Sequence, residues 1–288
     1  MPRETINGVS LSYEIIGSGS RMAAITPGGR FSKDAGGIRE LAQALADGGF
    51  RVLIWDRPNC GESEISVTGP SESFQNADML AGLLRALGMG PALLVGGSGG
   101  ARETLLTAIR HPDVVAQVFV FWLSGGAVGI ATLPSFYCAD GIVAATHGGM
   151  AEVAELPSWQ EPLTRHPANR DRLLAYAPEA FVATMTEWAE AFFPVANAPI
   201  PCVSVDDLAG IKVPVMVLRS GLSDMHHSRQ TSEAVAGLIP GARLAEPPWG
   251  DREWVERLVA NLRGEAPLFS RWPLLAPTIL DFCRVALV

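Results

Sequence analysis

Apolar and polar positions follow two rhythms along the first half of the chain. Short apolar runs recur at Met22 to Thr26, Phe50 to Trp55, Ala92 to Val95 and Val114 to Leu123. Runs this short and continuous read as strands buried on both faces. Between them lie stretches with a helical period. Ile38, Leu41, Ala42 and Leu45 lead to a stop at Gly48-Gly49, and Met79, Leu80, Leu83, Leu84 and Leu87 share a face within Ser73 to Leu87. Ahead of them, Thr5 to Ile16 is broken at Asn7-Gly8, which predicts a two-stranded hairpin. Strands alternating with helices at this interval predict a mostly parallel sheet covered on both sides.

After Leu123 the rhythm changes. From Ser124 to about Asp206, Gly and Pro clusters separate amphipathic stretches, the clearest being Gly149 to Leu156 and Phe181 to Phe193, and no strand pattern occurs. The alternation resumes with a strand at Val213 to Leu218, a helix at Ser228 to Leu238, a short strand at Ala242 to Ala245 and a last helix at Glu253 to Leu262. The expected fold class is therefore α/β, with a core formed by 1–123 and 207–288 and a helical insertion, 124–206, after the sixth strand.

One junction carries chemistry. Ala92 to Val95 runs into Gly96-Gly97-Ser98-Gly99-Gly100, and Ala101 to Ile109 continues as a helix. A strand entering a helix through Gly-x-Ser-x-Gly is a nucleophile elbow. The turn is too tight for side chains two places before and after the serine, so Gly96 and Gly100 leave the Ser98 hydroxyl raised above the sheet edge. The Gly99 N–H, at the helix N-terminus, is placed to stabilise a developing oxyanion. A dinucleotide cradle is the competing reading of a Gly-rich turn, but G-x-G-x-x-G fails because Gly97 and Gly99 are followed by Arg102.

Composition narrows the partners. With 48% apolar and 18% charged residues in 288, the chain can bury a sizeable core, and a net charge of −8 gives no support for nucleic acid or an anionic membrane. Cys60, Cys138, Cys202 and Cys283 are scattered without metal spacing and read as free thiols. The N-terminus leads directly into strand-like sequence with no signal-peptide pattern, and the apolar stretch from Leu274 to Val288 is interrupted by Pro277, Asp281 and Arg284. The expected setting is cytoplasmic, with a small-molecule substrate and no metal or cofactor. A homo-oligomer is compatible with the sequence.

Taken together, the elbow, the segment Asp56-Arg57-Pro58-Asn59-Cys60-Gly61-Glu62-Ser63 after the fourth strand, and Gly221-Leu222-Ser223-Asp224 after the seventh make the chain resemble the α/β-hydrolase superfamily over nearly its full length. A helical cap after the sixth strand is also a habit of that family. The resemblance implies Ser98 as nucleophile and Asp224 as the carboxylate that orients a histidine. It also implies an oxyanion hole at Thr26-Pro27-Gly28-Gly29-Arg30, with Gly29 or Arg30 supplying an N–H beside that of Gly99. Arg30 is further a candidate cation for a substrate carboxylate. Asp224 has a competing role as a cap for the helix at Ser228.

The family's histidine normally sits in the loop after the eighth strand. Here that loop reads Glu246-Pro247-Pro248-Trp249-Gly250-Asp251-Arg252, and holds no histidine. His111 ends the elbow helix at the far side, and His147 and His166 fall in the insertion. His226 and His227 follow Asp224 closely, and His227 is the preferred base. Yet the fifth and seventh strands lie two places apart, about 10 Å at roughly 4.8 Å per strand, so reaching Ser98 requires the loop to bend inward. Trp249, at the vacated place, is a candidate to close the pocket. Trp122, Phe136, Tyr137, Trp159 and Trp188 are candidates to line it, with core packing as the competing role of each.

The leading expectation is a cofactor-free serine hydrolase for a small apolar ester, lactone or C–C-linked ketone. The absent histidine keeps two alternatives open: a lyase, isomerase or cyclase in which Ser98 only hydrogen-bonds, and a non-catalytic ligand binder.

Overall fold

The computed structural model describes residues 1–285. Eight strands form one sheet: β1 (Arg3–Ile6), β2 (Val9–Ile16), β3 (Arg21–Thr26), β4 (Phe50–Trp55), β5 (Ala92–Gly97), β6 (Val115–Phe121), β7 (Val215–Leu218) and β8 (Arg243–Ala245). Their order is β1-β2-β4-β3-β5-β6-β7-β8. The hairpin β1–β2 turns at Asn7-Gly8, both residues at positive φ, and β2 runs antiparallel to β4. Every other pairing is parallel.

Helices cover both faces. On one lie α1 (Ile38–Asp47) and the C-terminal segment, on the other α2 (Glu72–Ala86) and α3 (Gly99–Arg110). Within β5 successive side chains enter opposite cores, Leu94 with Leu80, Leu84 and Leu105, and Leu93 and Val95 with Leu41, Phe119 and Trp272. This two-sided burial explains why β5 reads as an unbroken apolar run.

After β6 come five helices before the chain turns back towards β7: α4 (Gly126–Pro134), α5 (Asp140–Val153), α6 (Pro157–Arg165), α7 (Ala168–Leu174) and α8 (Pro178–Glu190). They enclose a third core around Trp159, Phe181, Met185 and Trp188. This segment is more helical than its pattern predicts. Up to α8 its glycines and prolines fall at caps, inside helices, as Pro134 just before a π turn (Ser135–Ala139) and Pro162 do, and at a kink where Gly149 takes φ 69°. The run Gly126–Arg165 is long and apolar enough, by length and composition alone, to cross a membrane, with a mean hydropathy of 1.4. The π turn and the kink bend it.

The chain returns through α9 (Val205–Gly210), and α10 (Arg229–Leu238) and α11 (Glu253–Leu262) follow β7 and β8. The helix at Glu253 is not the last. Trp272–Leu275 forms a 3₁₀ turn leading into α12 (Ala276–Val285), and Trp272, Leu275, Ile279 and Phe282 are buried against α1 and the sheet. The apolar C-terminal stretch is a core element.

Candidate active site

Ser98 sits between β5 and α3 with φ 58° and ψ −123°, a conformation that L-residues avoid. The surroundings enforce it. A Cβ at Gly96 would lie 2.3 Å from the Gly100 carbonyl oxygen, and one at Gly100 would lie 2.1 Å from that of Thr26. The glycines two places either side of Ser98 are therefore steric requirements of the turn.

The Thr26–Arg30 loop approaches as closely. A Cβ on Gly28 would meet that of Ser98 at 2.5 Å, and one on Gly99 would lie 3.5 Å from the Gly29 nitrogen. The Arg57 guanidinium donates to the carbonyls of Gly28, Gly29 and Phe31 while pairing with Glu103 at 3.2 Å. Burial opposes the Arg57 charge, but the Glu103 carboxylate facing it raises its pKa. In a trans peptide the N–H points opposite the C=O. With the Gly28 carbonyl turned to Arg57, the Gly29 N–H faces away from it. Gly99 opens α3, so its N–H has no partner within the helix. Two backbone donors thus flank the Ser98 hydroxyl. The Tyr137 hydroxyl lies 3.1 Å from where a Gly99 Cβ would stand, and burial pushes its pKa up to about 12, which keeps it a neutral donor.

Asp224 and His227 come from the loop between β7 and α10. One Asp224 oxygen accepts the backbone N–H groups of His226 (3.1 Å) and His227 (2.9 Å), and the other lies 2.9 Å from His227 Nδ1. A carboxylate that only accepts puts the proton on Nδ1 and leaves Nε2 as an acceptor. His227 Nε2 is 2.9 Å from Ser98 Oγ. Both side chains are almost fully buried. Asp224 does not cap α10; Ser228 does, accepting from the Thr231 N–H.

The two-strand gap is crossed where the loop lies against the segment that follows β6. His227 pairs in parallel with Gly125, beyond the end of β6, and Gly125 N–H donates to the His226 carbonyl at 3.3 Å. The histidine therefore stands beside that segment, and from there its ring reaches Ser98. Glycine makes the approach feasible. A Cβ on Gly129 would lie 2.5 Å from the His226 carbonyl oxygen, and one on Gly125 2.4 Å from that of Pro199.

The loop after β8 supports this arrangement from outside. The Asp251 carbonyl accepts the Ser223 N–H at 3.1 Å, and its carboxylate binds Arg229 and the Leu222 N–H. A residue from the stretch expected to supply the histidine instead holds the turn that carries the acid.

Ser98 and His227 open into a cavity of about 340 Å³, walled mainly by apolar groups. Trp122 is a wall residue whose backbone is held at φ 50°, with its indole stacked on the His227 ring at 6.2 Å and 22°. Phe136 and Tyr137 also line the cavity, as does His226, whose ring lies 5.1 Å from Trp254.

The other candidates stand outside the cavity wall. Trp249 packs against Phe121 and Trp122 behind the wall instead of closing the pocket. Trp159 and Trp188 are buried in the third core. Arg30 does not face the cavity: its Nε pairs with Glu72 at 3.0 Å and its Nη2 with the Tyr137 carbonyl at 3.1 Å, joining the loop after β3 to α2 and the helical segment. His111 binds Asp78 at 2.7 Å, and His147 is exposed beside Glu152. Cys60 is buried, which pushes its thiol up to about 12, so no thiolate forms there near neutrality.

Comparison with known proteins agrees with this fold. A family model described as the alpha/beta hydrolase fold matches residues 29–120. The enol-lactonase from Burkholderia xenovorans superposes with a TM-score of 0.60 at 23% identity, covering 98% of this chain and 100% of that one. The chain is an α/β-hydrolase-fold protein.

Sequence relatives match over shorter stretches. The 2-hydroxy-6-oxononadienedioate/2-hydroxy-6-oxononatrienedioate hydrolase of Burkholderia vietnamiensis is 40% identical over 86 residues, 30% of this chain and 29% of that protein. The 2-hydroxy-6-oxo-6-phenylhexa-2,4-dienoate hydrolase of Comamonas testosteroni is 30% identical over 128 residues, 43% of this chain and 44% of that one. The aligned stretches thus span less than half of these relatives. The family match ends before Asp224 and His227, so the part of this chain that departs from the family pattern lies outside it.

Among the wall residues that sequence reading misses are Trp254 and Arg257 on α11. The available signal was their spacing, three apart on a helix, which puts both on one face, with Glu253 four residues before the arginine.

Proposed function

We propose that this protein is a serine hydrolase of small, largely apolar acyl compounds, an ester, lactone or C–C-linked ketone, with residues 124–206 acting as the cap over its pocket. The observation that carries the reading is the 2.9 Å approach of His227 Nε2 to Ser98 Oγ, with Nδ1 on the Asp224 carboxylate. Ser98 Oγ attacks the carbonyl carbon as His227 takes its proton. The N–H groups of Gly29 and Gly99 hold the resulting oxyanion, the second aided by the N-terminal end of α3. Asp224 fixes the tautomer and stabilises the imidazolium, which then returns the proton to the leaving group. Water, activated by the same imidazole, releases the acyl group from Ser98.

The relatives' names support the substrate class, since they are hydrolases of C–C-linked oxo acids and an enol-lactonase. The readings in which Ser98 only hydrogen-bonds drew on the lack of a histidine, and an imidazole in reach of the hydroxyl removes that motive.

The test is hydrolysis of short-chain p-nitrophenyl esters with detection of the acyl group on the Ser98 peptide by mass spectrometry. Turnover with acylated Ser98 is expected, and Ser98→Ala should lose both. Turnover that survives Ser98→Ala, or none in the wild type, overturns the reading.

A further inference from the structure

Arg257 is the sole arginine or lysine among the residues that line the Ser98 cavity, and no acidic side chain lines it. It projects from α11 and is 6% exposed. Its Nε donates to Glu253 Oε1 at 2.8 Å, on its own helix and behind the wall. Nη2 is buried without a partner among the described residues. Burial disfavours the Arg257 charge and likewise pushes the Glu253 carboxyl up. A buried cation with unused donors is costly unless something pairs with it.

Its position relates it to the reacting atoms. The guanidinium lies over the rings of Trp122 (4.1 Å) and Trp254 (4.7 Å). Both of those rings also contact His227, Trp122 face to face at 6.2 Å and Trp254 edge-on at 5.3 Å. Arg257 is therefore one aromatic ring away from the imidazole, on the same cavity wall. The two indoles pack against the guanidinium and Glu253 takes its Nε, which leaves the Nη side of the fork to bind a ligand.

We infer that Arg257 is the carboxylate subsite of this pocket, so that the substrate is a short carbonyl compound bearing a carboxylate a few bonds from the carbon that Ser98 attacks. A planar carboxylate matches the free edge of the fork and supplies the missing hydrogen-bond partners in a place shielded from water. Glu253 engages the Nε side and sets the rotamer. The carboxylate role that the sequence suggested for Arg30 falls instead to a residue on the other side of the cavity, because Glu72 already pairs with Arg30. The inference rests on the Ser98 cavity being the substrate site, and its test needs no turnover.

The measurement is calorimetric binding of 4-phenylbutyrate and of its neutral isostere 4-phenylbutyramide to the wild type, Arg257→Gln and Arg257→Lys. The wild type should bind the carboxylate at least 10-fold more tightly than the amide. Arg257→Gln should abolish that preference, and Arg257→Lys should keep part of it, since it retains the charge without the fork. Equal binding of the two ligands by the wild type overturns the inference, as does a preference that persists undiminished in Arg257→Gln. If Arg257→Gln does not fold, a wild-type preference undiminished in Arg257→Lys also overturns it. Because binding is read without turnover, a carboxylate preference alongside absent esterase activity would uphold the subsite and reject the hydrolase.

Discussion

The loop after β7 and the loop after β8 have exchanged duties relative to the family pattern that the chain resembles. The first carries both Asp224 and His227 within four residues, while the second carries none of the reacting groups and hydrogen-bonds to the turn before Asp224. What decides the position of the base is where its ring stands, not which strand precedes it. A backbone bridge to Gly125 lays the histidine against the segment that follows β6, and its ring reaches inward from there to a 2.9 Å contact with Ser98. The same catalytic geometry can thus be assembled from different chain positions.

The largest effects should separate the two histidines. His227→Ala is expected to lower kcat for an activated ester by about 10³-fold or more, while His226→Ala lowers it by about tenfold or less. Equal losses would mean that the base has been assigned to the wrong ring. Asp224→Asn should follow with a loss of roughly 10²- to 10⁴-fold and little change in KM, because the amide can stabilise the wrong tautomer. Next comes the inward step itself. Gly129→Ala places a methyl 2.5 Å from the His226 carbonyl oxygen and should push the loop outward, costing about 10- to 100-fold in kcat with the fold intact by circular dichroism. Asp251→Ala tests the loop after β8. Its ion pair with Arg229 is half exposed, so a stability loss of only about 0.5 kcal/mol is expected, with a small fall in kcat.

The smallest effect concerns pH. Burial, and then the adjacent His227, holds His226 below the ordinary value of 6.5. The folded state therefore binds fewer protons there than the unfolded chain, and stability should fall as the pH drops below 6.5 through the folded-state pKa. His226→Gln should show a shallower decline in Tm between pH 7.5 and 5.5 than the wild type. A steeper one would reverse the sign of the argument.

Much of this arrangement was legible in the sequence, and the limits have physical causes. The strands of the parallel sheet are buried on both faces, so they stand out as apolar runs, and the elbow glycines are steric necessities that leave a fixed spacing. The insertion read poorly because its glycines and prolines serve as caps and bends inside a nearly continuous helical run. His226 and His227 both stand out in the sequence by nearness to Asp224, but the reach of His227 depends on pairing with Gly125, about a hundred residues earlier, which no local pattern reports. Trp249 drew attention by occupying the vacated loop, whereas the wall is built by Trp254 and Arg257, one helical turn further on. Arg30 sits next to the oxyanion loop in sequence, but Glu72 turns its side chain away from the cavity.

The most direct test of the central claim is the rate at which a fluorophosphonate labels Ser98, which depends on activation of that hydroxyl and not on the substrate. The account predicts rapid labelling of the wild type, a rate lower by at least about 10³-fold in His227→Ala, and a much smaller change in His226→Ala. Labelling of His227→Ala at the wild-type rate would contradict it.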